Sequence, residues 1–251
     1  MSENSDHIDS IDQQFKLMEI NEKNIASIHA MCEKNKDGFY PIPLNYFIRG
    51  TLGDSQYLPE FCVGIYSVSD ESQANPIGYF HLTTRKGLVV GTRVFIKSFM
   101  IDKDYRRKGI ATWALSELMK KAKKRFPRST IHFGNCNPDY WFPGMDTRHT
   151  PALFFLYKIG FKKKGVIQSL TVQTDQFKNW NPVSERNNYT FRRATKDDLP
   201  DLLAFIRNNF MGTWDAEAKI TFQNDPITTF VAIDPENQIV GFSSHSVGFP
   251  S

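Results

Sequence analysis

A short basic segment, Tyr105-Arg-Arg-Lys-Gly-Ile-Ala-Thr112, is the part of the sequence whose residue types are best suited to chemistry. It follows a stretch rich in β-branched and aromatic residues, Arg93 to Ile101, which predicts a buried strand. From Ile110 onward, apolar residues recur with helical spacing. A helix that begins there leaves its first N–H groups without intrahelical partners, at the positive end of the helix dipole. The segment therefore predicts a binding site for an anion.

The side chains of this segment support the same interpretation. Gly109 supplies conformational freedom and removes the side chain where a ligand would touch the backbone, and the small Ala111 permits the same approach. Arg106, Arg107 and Lys108 add positive charge. A pyrophosphate fits such a set of donors better than a single carboxylate does. The alternative is that the segment is only a turn between a strand and a helix.

The order Arg106-Arg-Lys-Gly-Ile-Ala111 resembles the R/Q-x-x-G-x-G/A loop of the GNAT superfamily, the acetyl-CoA-dependent N-acetyltransferases. A second stretch, Pro151-Ala-Leu-Phe-Phe-Leu-Tyr-Lys-Ile-Gly-Phe161, resembles the helix of this superfamily that ends in a leucine- or isoleucine-glycine-phenylalanine turn. The separation of the two motifs is also that of the family. The resemblance covers residues 15–174 and implies the GNAT fold, in which a mixed α/β sheet with splayed strands is flanked by helices.

In this family the loop backbone binds the CoA pyrophosphate, and the pantetheine arm lies between two splayed strands, here those ending near Ile101 and Phe133. Backbone N–H groups of Met100 and Ile101 are then expected to hold the thioester carbonyl as an oxyanion hole. The resemblance thus implies acetyl-CoA as co-substrate and no metal. The implied cofactor-binding residues are Met100, Ile101, Arg106, Arg107, Lys108, Gly109, Ile110, Ala111 and Thr112.

Tyr157 occupies the family position of the tyrosine that protonates the departing CoA sulfur. A phenol is a suitable donor to a thiolate of similar basicity. The alternative is that Tyr157 only packs within an apolar helix. No carboxylate or histidine lies at a position that the motifs fix for the general base, so His132, Asp139 and His149 are candidates, beside a chain of waters.

The connection from Asn135 to His149 is long and aromatic. Long loops in compact domains tend to be functional. Tyr140, Trp141 and Phe142 either wall an acceptor or acyl pocket or dock the loop on the core. Thr150 stands where many family members have asparagine, and we expect it to cap the following helix.

A strand, a helix and a hairpin occur in the same order twice, beginning at Phe15 and again at Tyr189. The first copy continues through a strand, a long helix, another strand, another helix and a final strand pair. The second copy stops soon after its hairpin, so we expect one CoA per chain, bound in the first half. The second hairpin should then leave an unpaired edge around residues 239–247, covered by the first half, another chain or further sequence.

The predicted organisation is a polar tail (1–14), a GNAT acyltransferase domain (15–174), a linker (175–188) and an incomplete second GNAT-like domain (189–251). The linker is polar and contains Asn181-Pro182.

Composition excludes several other classes of protein. The 251 residues carry a net charge of +4, and the basic run from Lys120 to Arg128 is interpreted as a solvated helix end, so no specific nucleic-acid partner is expected. No apolar run approaches the length of a membrane span, and the 3 scattered cysteines indicate reduced thiols in a cytoplasmic protein. A homo-oligomer is compatible with the sequence.

The sequence therefore predicts an N-acetyltransferase. It would transfer an acetyl group from acetyl-CoA to an amine of a small molecule or peptide, by direct attack in a ternary complex. The alternative is a non-catalytic acyl-CoA-binding sensor or assembly module.

Overall fold

The computed structural model describes residues 11–36, 42–72, 74–86, 92–137, 144–168, 184–210 and 214–245. The chain divides into two compact units. The first comprises residues 1–136 and 140–164, and the second comprises residues 137–139 and 165–251. Each unit has its own sheet and its own apolar core.

The first unit is built on a five-stranded sheet with the strand order β1-β2-β3-β4-β5. Strands β1 to β4 pair antiparallel, and β5 pairs parallel to β4, so the sheet is mixed as the sequence predicts. The strand bounds are β1 Phe15–Glu19, β2 Cys62–Ser67, β3 Gly78–Lys86, β4 Thr92–Ile101 and β5 Thr130–Phe133.

Helices cover both faces of this sheet, and the alternation of side chains along β3 separates the two cores. Tyr79 packs in the core beneath α1 (Ile25–Lys34) and α2 (Leu44–Gly50). Phe80 packs in the core beneath α3 (Ile110–Arg125), and Phe155 of α4 (Thr150–Lys158) packs against the same core. The predicted fold class is confirmed, although α2 was not predicted.

Strand β4 carries one extra residue near its middle. Leu82 pairs with Ile96 and His81 pairs with Ser98, so Lys97 is left over as a β-bulge. A bulge bends its strand and increases the local twist. The ammonium of Lys97 is buried rather than directed to solvent.

A carboxylate from the loop after α2 accompanies this buried lysine. Asp54 Oδ2 lies 2.8 Å from Lys97 Nζ and 2.9 Å from Arg85 Nη2. Burial alone raises the pKa of Asp54, but the two cations outweigh burial and hold this pKa well below its usual range. The carboxylate is therefore ionised and fixes both cations inside the unit.

The ends of the predicted acyltransferase domain differ from the sequence-based expectation. Ile11, assigned to a polar tail, is buried in the core beneath α3, and the indole N–H of Trp113 donates to Asp12. Residues 161–168 form neither helix nor strand, so the predicted final strand pair does not begin there. Residues 169–174, the remainder of that prediction, lie outside the described residues.

The second unit contains an antiparallel sheet of four strands in the order β6-β7-β8-β9. The predicted strand, helix and hairpin correspond to β7, α5 and the pair β8–β9, whereas β6 and α6 were not predicted and β6 lies within the expected linker. Its elements are β6 Glu185–Arg186, β7 Tyr189–Arg193, α5 Leu199–Asn209, α6 Trp214–Thr221, β8 Thr229–Ile233 and β9 Ile239–Ser244. Across the described residues of this unit, β9 pairs only with β8.

None of the helices in the described part of the chain is both long and apolar enough to span a membrane.

The buried ion pair predicts a large effect on stability. Removing one partner of a buried pair costs about 3–5 kcal/mol, because the other charge is left uncompensated. We expect Asp54→Ala to lower the free energy of unfolding by this order in urea titrations at pH 7. Adding Lys97→Met should restore part of the loss, since the uncompensated charge is then replaced by an apolar chain.

The same pair gives stability a pH dependence. The folded-state pKa of Asp54 lies below its unfolded value of about 3.9, so its contribution is present above that pH and is lost as the pH falls. The parent should therefore lose more stability than Asp54→Ala between pH 5 and pH 3, a range set around that unfolded value. Equal stability of parent and variant at pH 7 would contradict this account of the pair.

Candidate active site

Strands β4 and β5 run together for four residue pairs and then separate. The last pair is Ile96 with Phe133, after which Gly134 N donates to Ile96 O at 3.1 Å. Gly134 and Asn135 then adopt positive φ angles of 65° and 50°, which turn the chain away from the sheet. Among the described residues, no strand pairs with residues 97–101 on this side, so a gap opens beside the second half of β4.

Backbone N–H groups of β4 point into this gap at alternate residues. Asp102 N donates to Ile77 O at 2.9 Å, so the N–H of Asp102 and, by alternation, that of Met100 point toward β3. The N–H groups of Ile101 and Phe99 therefore point to the gap. Of the two donors expected from the sequence, Ile101 has this direction, and sequence reasoning missed Phe99. The two-residue period of a strand is the signal that relates Phe99 to Ile101.

The turn after β4 is anchored to the end of α1. Asp102 accepts hydrogen bonds from Asp104 N (2.9 Å), Asn35 Nδ2 (3.1 Å) and Lys34 Nζ (3.1 Å). Asn35 Oδ1 in turn accepts from Lys103 N at 2.8 Å. Burial alone raises the pKa of Asp102, but these hydrogen bonds outweigh it and lower the pKa. An ionised carboxylate thus fixes where the basic loop starts.

The basic loop itself turns sharply into α3. Arg107 and Gly109 have positive φ angles of 64° and 80°. Helix α3 begins at Ile110, and its first N–H groups, those of Ile110, Ala111 and Thr112, have no partner within the helix. The side chains of Arg106, Arg107 and Lys108 are exposed beside them. The structure therefore assembles the donors and positive charges of the expected anion site.

Arg106 also links this loop to the gap. Its Nε donates to Ile101 O at 2.9 Å, and the carbonyl of Ile101 lies on the same side of β4 as its N–H. The expected anion site and the open N–H groups thus meet at one end of β4.

Aromatic side chains line the gap on the side of α3 and α4. Phe99 stacks on Phe80 at 5.1 Å between ring centroids, and the rings of Phe133 and Phe155 lie 5.9 and 5.7 Å from it. These contacts join β3, β4, β5 and α4. The wall is apolar, as an acyl or pantetheine chain requires.

Tyr157 does not share the orientation of Phe155 on α4. The two residues are about 200° apart around the helix, and Tyr157 is 42% exposed with its ring 6.5 Å from that of Phe154. The structure thus brings Phe155 onto Phe99 and leaves Tyr157 toward solvent. The catalytic role of Tyr157 stays a prediction.

His132 lies among the paired residues of β5, before the gap opens. Its Nε2 is 2.8 Å from Thr130 Oγ1, and its ring stacks on Phe95 at 5.3 Å. Burial, with the charges of Lys164 and Arg93, lowers the pKa of His132. These contacts are those of a structural histidine, which was the alternative to its use as a base.

The remaining candidates lie around the start of α4. The helix begins at Thr150, and the N–H groups of Ala152 and Leu153 both donate to His149 O at 3.0 Å. The expectation that Thr150 is the cap is therefore wrong, because Thr150 already belongs to the first turn and half-buried His149 precedes it. Asp139, Tyr140, Trp141 and Phe142 lie outside the described residues.

Comparisons with solved structures show the fold. A GCN5-related glucosamine N-acetyltransferase region of a fungal multi-domain GH3 β-N-acetylglucosaminidase matches with a TM-score of 0.67 and 16% identity, over 94% of this chain and 29% of that one. A GCN5-related N-acetyltransferase from Sphaerobacter thermophilus matches with a TM-score of 0.58 and 14% identity, over 91% of this chain and 70% of that one. This chain thus spans less than a third of the length of the fungal protein.

A sequence comparison identifies the segment that carries the site. No curated protein matches the chain significantly. Residues 28–139 match the model described as the Acetyltransferase (GNAT) family. The matched segment contains β4, the basic loop and α3, so the part of the chain that carries the candidate site is similar to the GNAT acetyltransferase family.

Proposed function

We propose that the first unit binds acetyl-CoA and transfers its acetyl group to an amine. The observation that carries this proposal is the meeting of two features at one end of β4. First-turn N–H groups without intrahelical partners and three exposed basic side chains lie at the start of α3, and open N–H groups lie in the gap beside it. A substrate that carries a pyrophosphate at one end and a thioester at the other suits this arrangement.

The proposed binding mode assigns each part of acetyl-CoA to described residues. The pyrophosphate takes the N–H groups from Gly109 to Thr112, with Arg106, Arg107 and Lys108 supplying charge. The pantetheine arm enters the gap along the aromatic wall. The thioester oxygen accepts from Ile101 N, with Phe99 N as the second donor in place of Met100 N.

The proposed reaction is direct attack. The lone pair of a neutral amine forms a bond to the thioester carbon, and negative charge develops on the carbonyl oxygen. The carbon–sulfur bond then breaks, the thiolate takes a proton, and the amine nitrogen loses one. Tyr157 is the proposed proton donor to sulfur, which requires its side chain to reach the gap when substrate is bound.

The acceptor is proposed to be an amine of a small molecule or peptide. The fungal neighbour is named as a glucosamine N-acetyltransferase, which makes an amino sugar one compound to test. One CoA per chain is proposed, since the second unit, in its described residues, has no counterpart of the basic loop and α3.

A non-catalytic acyl-CoA-binding module is the second candidate. It is favoured by the exposure of Tyr157 and by the position of His132 away from the gap. Such a module would bind acetyl-CoA without transferring its acetyl group.

Free thiol release separates the two candidates. The chain is incubated with acetyl-CoA and a panel comprising glucosamine, kanamycin, Nα-acetyl-lysine and a peptide with a free amino terminus. Release that depends on one of these acceptors supports the enzyme. Calorimetric binding of CoA without release on any acceptor supports the module, and absence of CoA binding contradicts both.

The basic loop gives a prediction about cofactor binding. Gly109→Glu places a carboxylate where the pyrophosphate is proposed to bind, so calorimetry should detect no CoA binding. Gly109→Ala is the matched control. Its alanine must adopt the same positive φ, which costs about 1–2 kcal/mol, but it adds no charge. It should retain measurable binding. If folded Gly109→Glu binds CoA as tightly as the parent does, the loop is only a turn and does not bind the pyrophosphate.

The proton donor gives a second prediction. Tyr157→Phe should lower kcat about 10–100-fold, in line with the loss of a general acid, while the Kd for acetyl-CoA changes little. The hydroxyl matters mainly when thiolate charge develops, so the effect belongs to turnover. Phe154→Leu, on the same exposed face, controls for altered packing. Equal rates for Tyr157→Phe and parent across the pH range would remove Tyr157 from the mechanism.

A further inference from the structure

The sheet of the second unit has one face that the proposed function does not use. Side chains alternate along a strand, so Tyr189, Phe191 and Arg193 of β7 lie on the same face. Phe230 of β8 pairs with Arg193 and shares this face, whereas its neighbour Val231 points to the core. The rings of Tyr189, Phe191 and Phe230 are 40%, 41% and 40% exposed. We call this surface the exposed face, and contiguous apolar groups of this kind mark an interaction site.

The three rings form a row. Residues two apart on a strand are separated by about 7 Å, which is the spacing of Tyr189 and Phe191. Phe191 and Phe230 are diagonal neighbours, because Phe230 pairs with Arg193, and such neighbours lie about 7–8 Å apart. The ring of His245 continues the row, 6.2 Å from that of Phe230. The exposed face thus presents several planar groups side by side.

Two arginines accompany the rings. The guanidinium of Arg193 lies over the ring of Phe230, with Cζ 4.7 Å from the ring centroid, and donates to Ile227 O. Arg186 of β6 pairs with Tyr189, so it lies on the same face, and its side chain is exposed. Among the strand residues described for this unit, none that the register assigns to this face is acidic. The exposed face is therefore aromatic and positively charged.

An apolar partner does not suit this face. In the first unit, the sheet face turned away from α1 carries Leu17 and Val63, which pack in the core beneath α3. An apolar layer of that kind on the exposed face would bury the guanidinium of Arg193 without a carboxylate, which is costly. Two copies of this chain placed face to face would bring like charges together. The partner must therefore carry negative charge as well as groups that pack on aromatic rings.

We propose that the exposed face binds single-stranded RNA. The bases stack on Tyr189, Phe191 and Phe230, and the phosphates pair with Arg186 and Arg193. Aromatic side chains on an open sheet are a means by which proteins hold unstacked bases. Binding is without base preference, since every base has a face that can stack. This inference goes beyond the proposed acetyl transfer and does not depend on it.

One polar group on the exposed face favours RNA over DNA. Ser243 of β9 pairs with Phe230 and is exposed, so its hydroxyl lies beside the ring. A serine hydroxyl can both donate and accept a hydrogen bond. The ribose 2′-hydroxyl is the group by which a protein distinguishes RNA from DNA. The basic run from Lys120 to Arg128 belongs to the first unit and has no part in this face.

Fluorescence anisotropy with a labelled oligouridylate of about 12 nucleotides tests the proposal on the full chain. We expect Phe191→Ala and Phe230→Ala each to weaken binding about 5-fold or more, because each removes a stacking ring. Arg193→Gln should lower the slope of log K against log salt by about 0.7, the value for one phosphate on a single strand. Oligothymidylate of the same length should bind more weakly than oligouridylate.

Two variants are matched controls. Trp214→Ala removes an exposed aromatic ring from α6, which packs on the opposite face of the same sheet. Lys123→Gln removes an exposed charge from the basic run of the first unit. Both should bind the oligonucleotide as tightly as the parent does. Displacement of the oligonucleotide by CoA would place it in the basic loop and overturn the proposal.

The replaced rings are exposed, so we expect Phe191→Ala and Phe230→Ala to fold, and circular dichroism checks this. If folded Phe191→Ala and Phe230→Ala bind like the parent, or if the parent does not bind at low salt, the proposal is wrong. Should either alanine variant not fold, the salt slope of Arg193→Gln decides. Equal binding of the two oligonucleotides would overturn the assignment to RNA.

Sedimentation tests for a protein partner on the same face. The proposal expects a parent chain whose mass does not change between the alanine variants and itself. A parent that self-associates, does not bind the oligonucleotide and becomes monomeric in Phe191→Ala would identify the exposed face as an interface between copies. That outcome would overturn the binding of RNA.

Discussion

The separation of β4 from β5 after Ile96 is the constraint on which the candidate site depends. If the parallel pairing continued to Ile101, the N–H groups of Phe99 and Ile101 would be used in the ladder and no gap would exist. Two local features prevent this. The extra residue Lys97 bends β4, and the positive φ angles at Gly134 and Asn135 take the other chain out of the sheet. The site is therefore a defect in the sheet that the surrounding packing stabilises.

The sequence predicted the elements that rest on local patterns. The apolar spacing after Ile110 and the glycine before it defined α3 to the residue at its start. Strand β4 was also predicted, from Arg93 to Ile101, and is observed from Thr92 to Ile101. These predictions succeeded because periodicity, turn residues and helix starts are properties of neighbouring residues. The basic loop was found for the same reason.

The features that were missed depend on residues distant in sequence. The bulged Lys97 can stay buried because Asp54, 43 positions earlier, supplies a buried counter-charge. The predicted start of the acyltransferase domain was also wrong, because Ile11 packs in a core that exists only once the sheet has folded. The orientation of Tyr157 follows from which residues of α4 pack on Phe99, and a helical pattern with apolar residues on several sides does not fix that choice.

The described part of the second unit repeats the strand, helix and hairpin order with which the first unit opens. Its helices α5 and α6 pack with β8 and β9 in one core, through residues such as Leu202 and Val231. Phe191 and Phe230, on the other face of the sheet, are 41% and 40% exposed. A sheet buries both faces only when layers cover both, and the described part of this unit supplies one layer. Within the described residues, this unit therefore leaves one face of its sheet uncovered.

The charges beneath β4 restrict how the proposed reaction handles protons. Burial of His81 and the nearby charges of Lys97 and Arg85 lower the pKa of its ring, so a positive charge there is disfavoured. His81 is consequently unsuited to removing the proton of the acceptor amine. An acceptor amine that is already neutral when it binds needs no strong base to deprotonate it before it attacks the thioester. Under the proposed direct attack, the rate at low acceptor concentration should therefore rise with pH through the pKa of the acceptor amine itself.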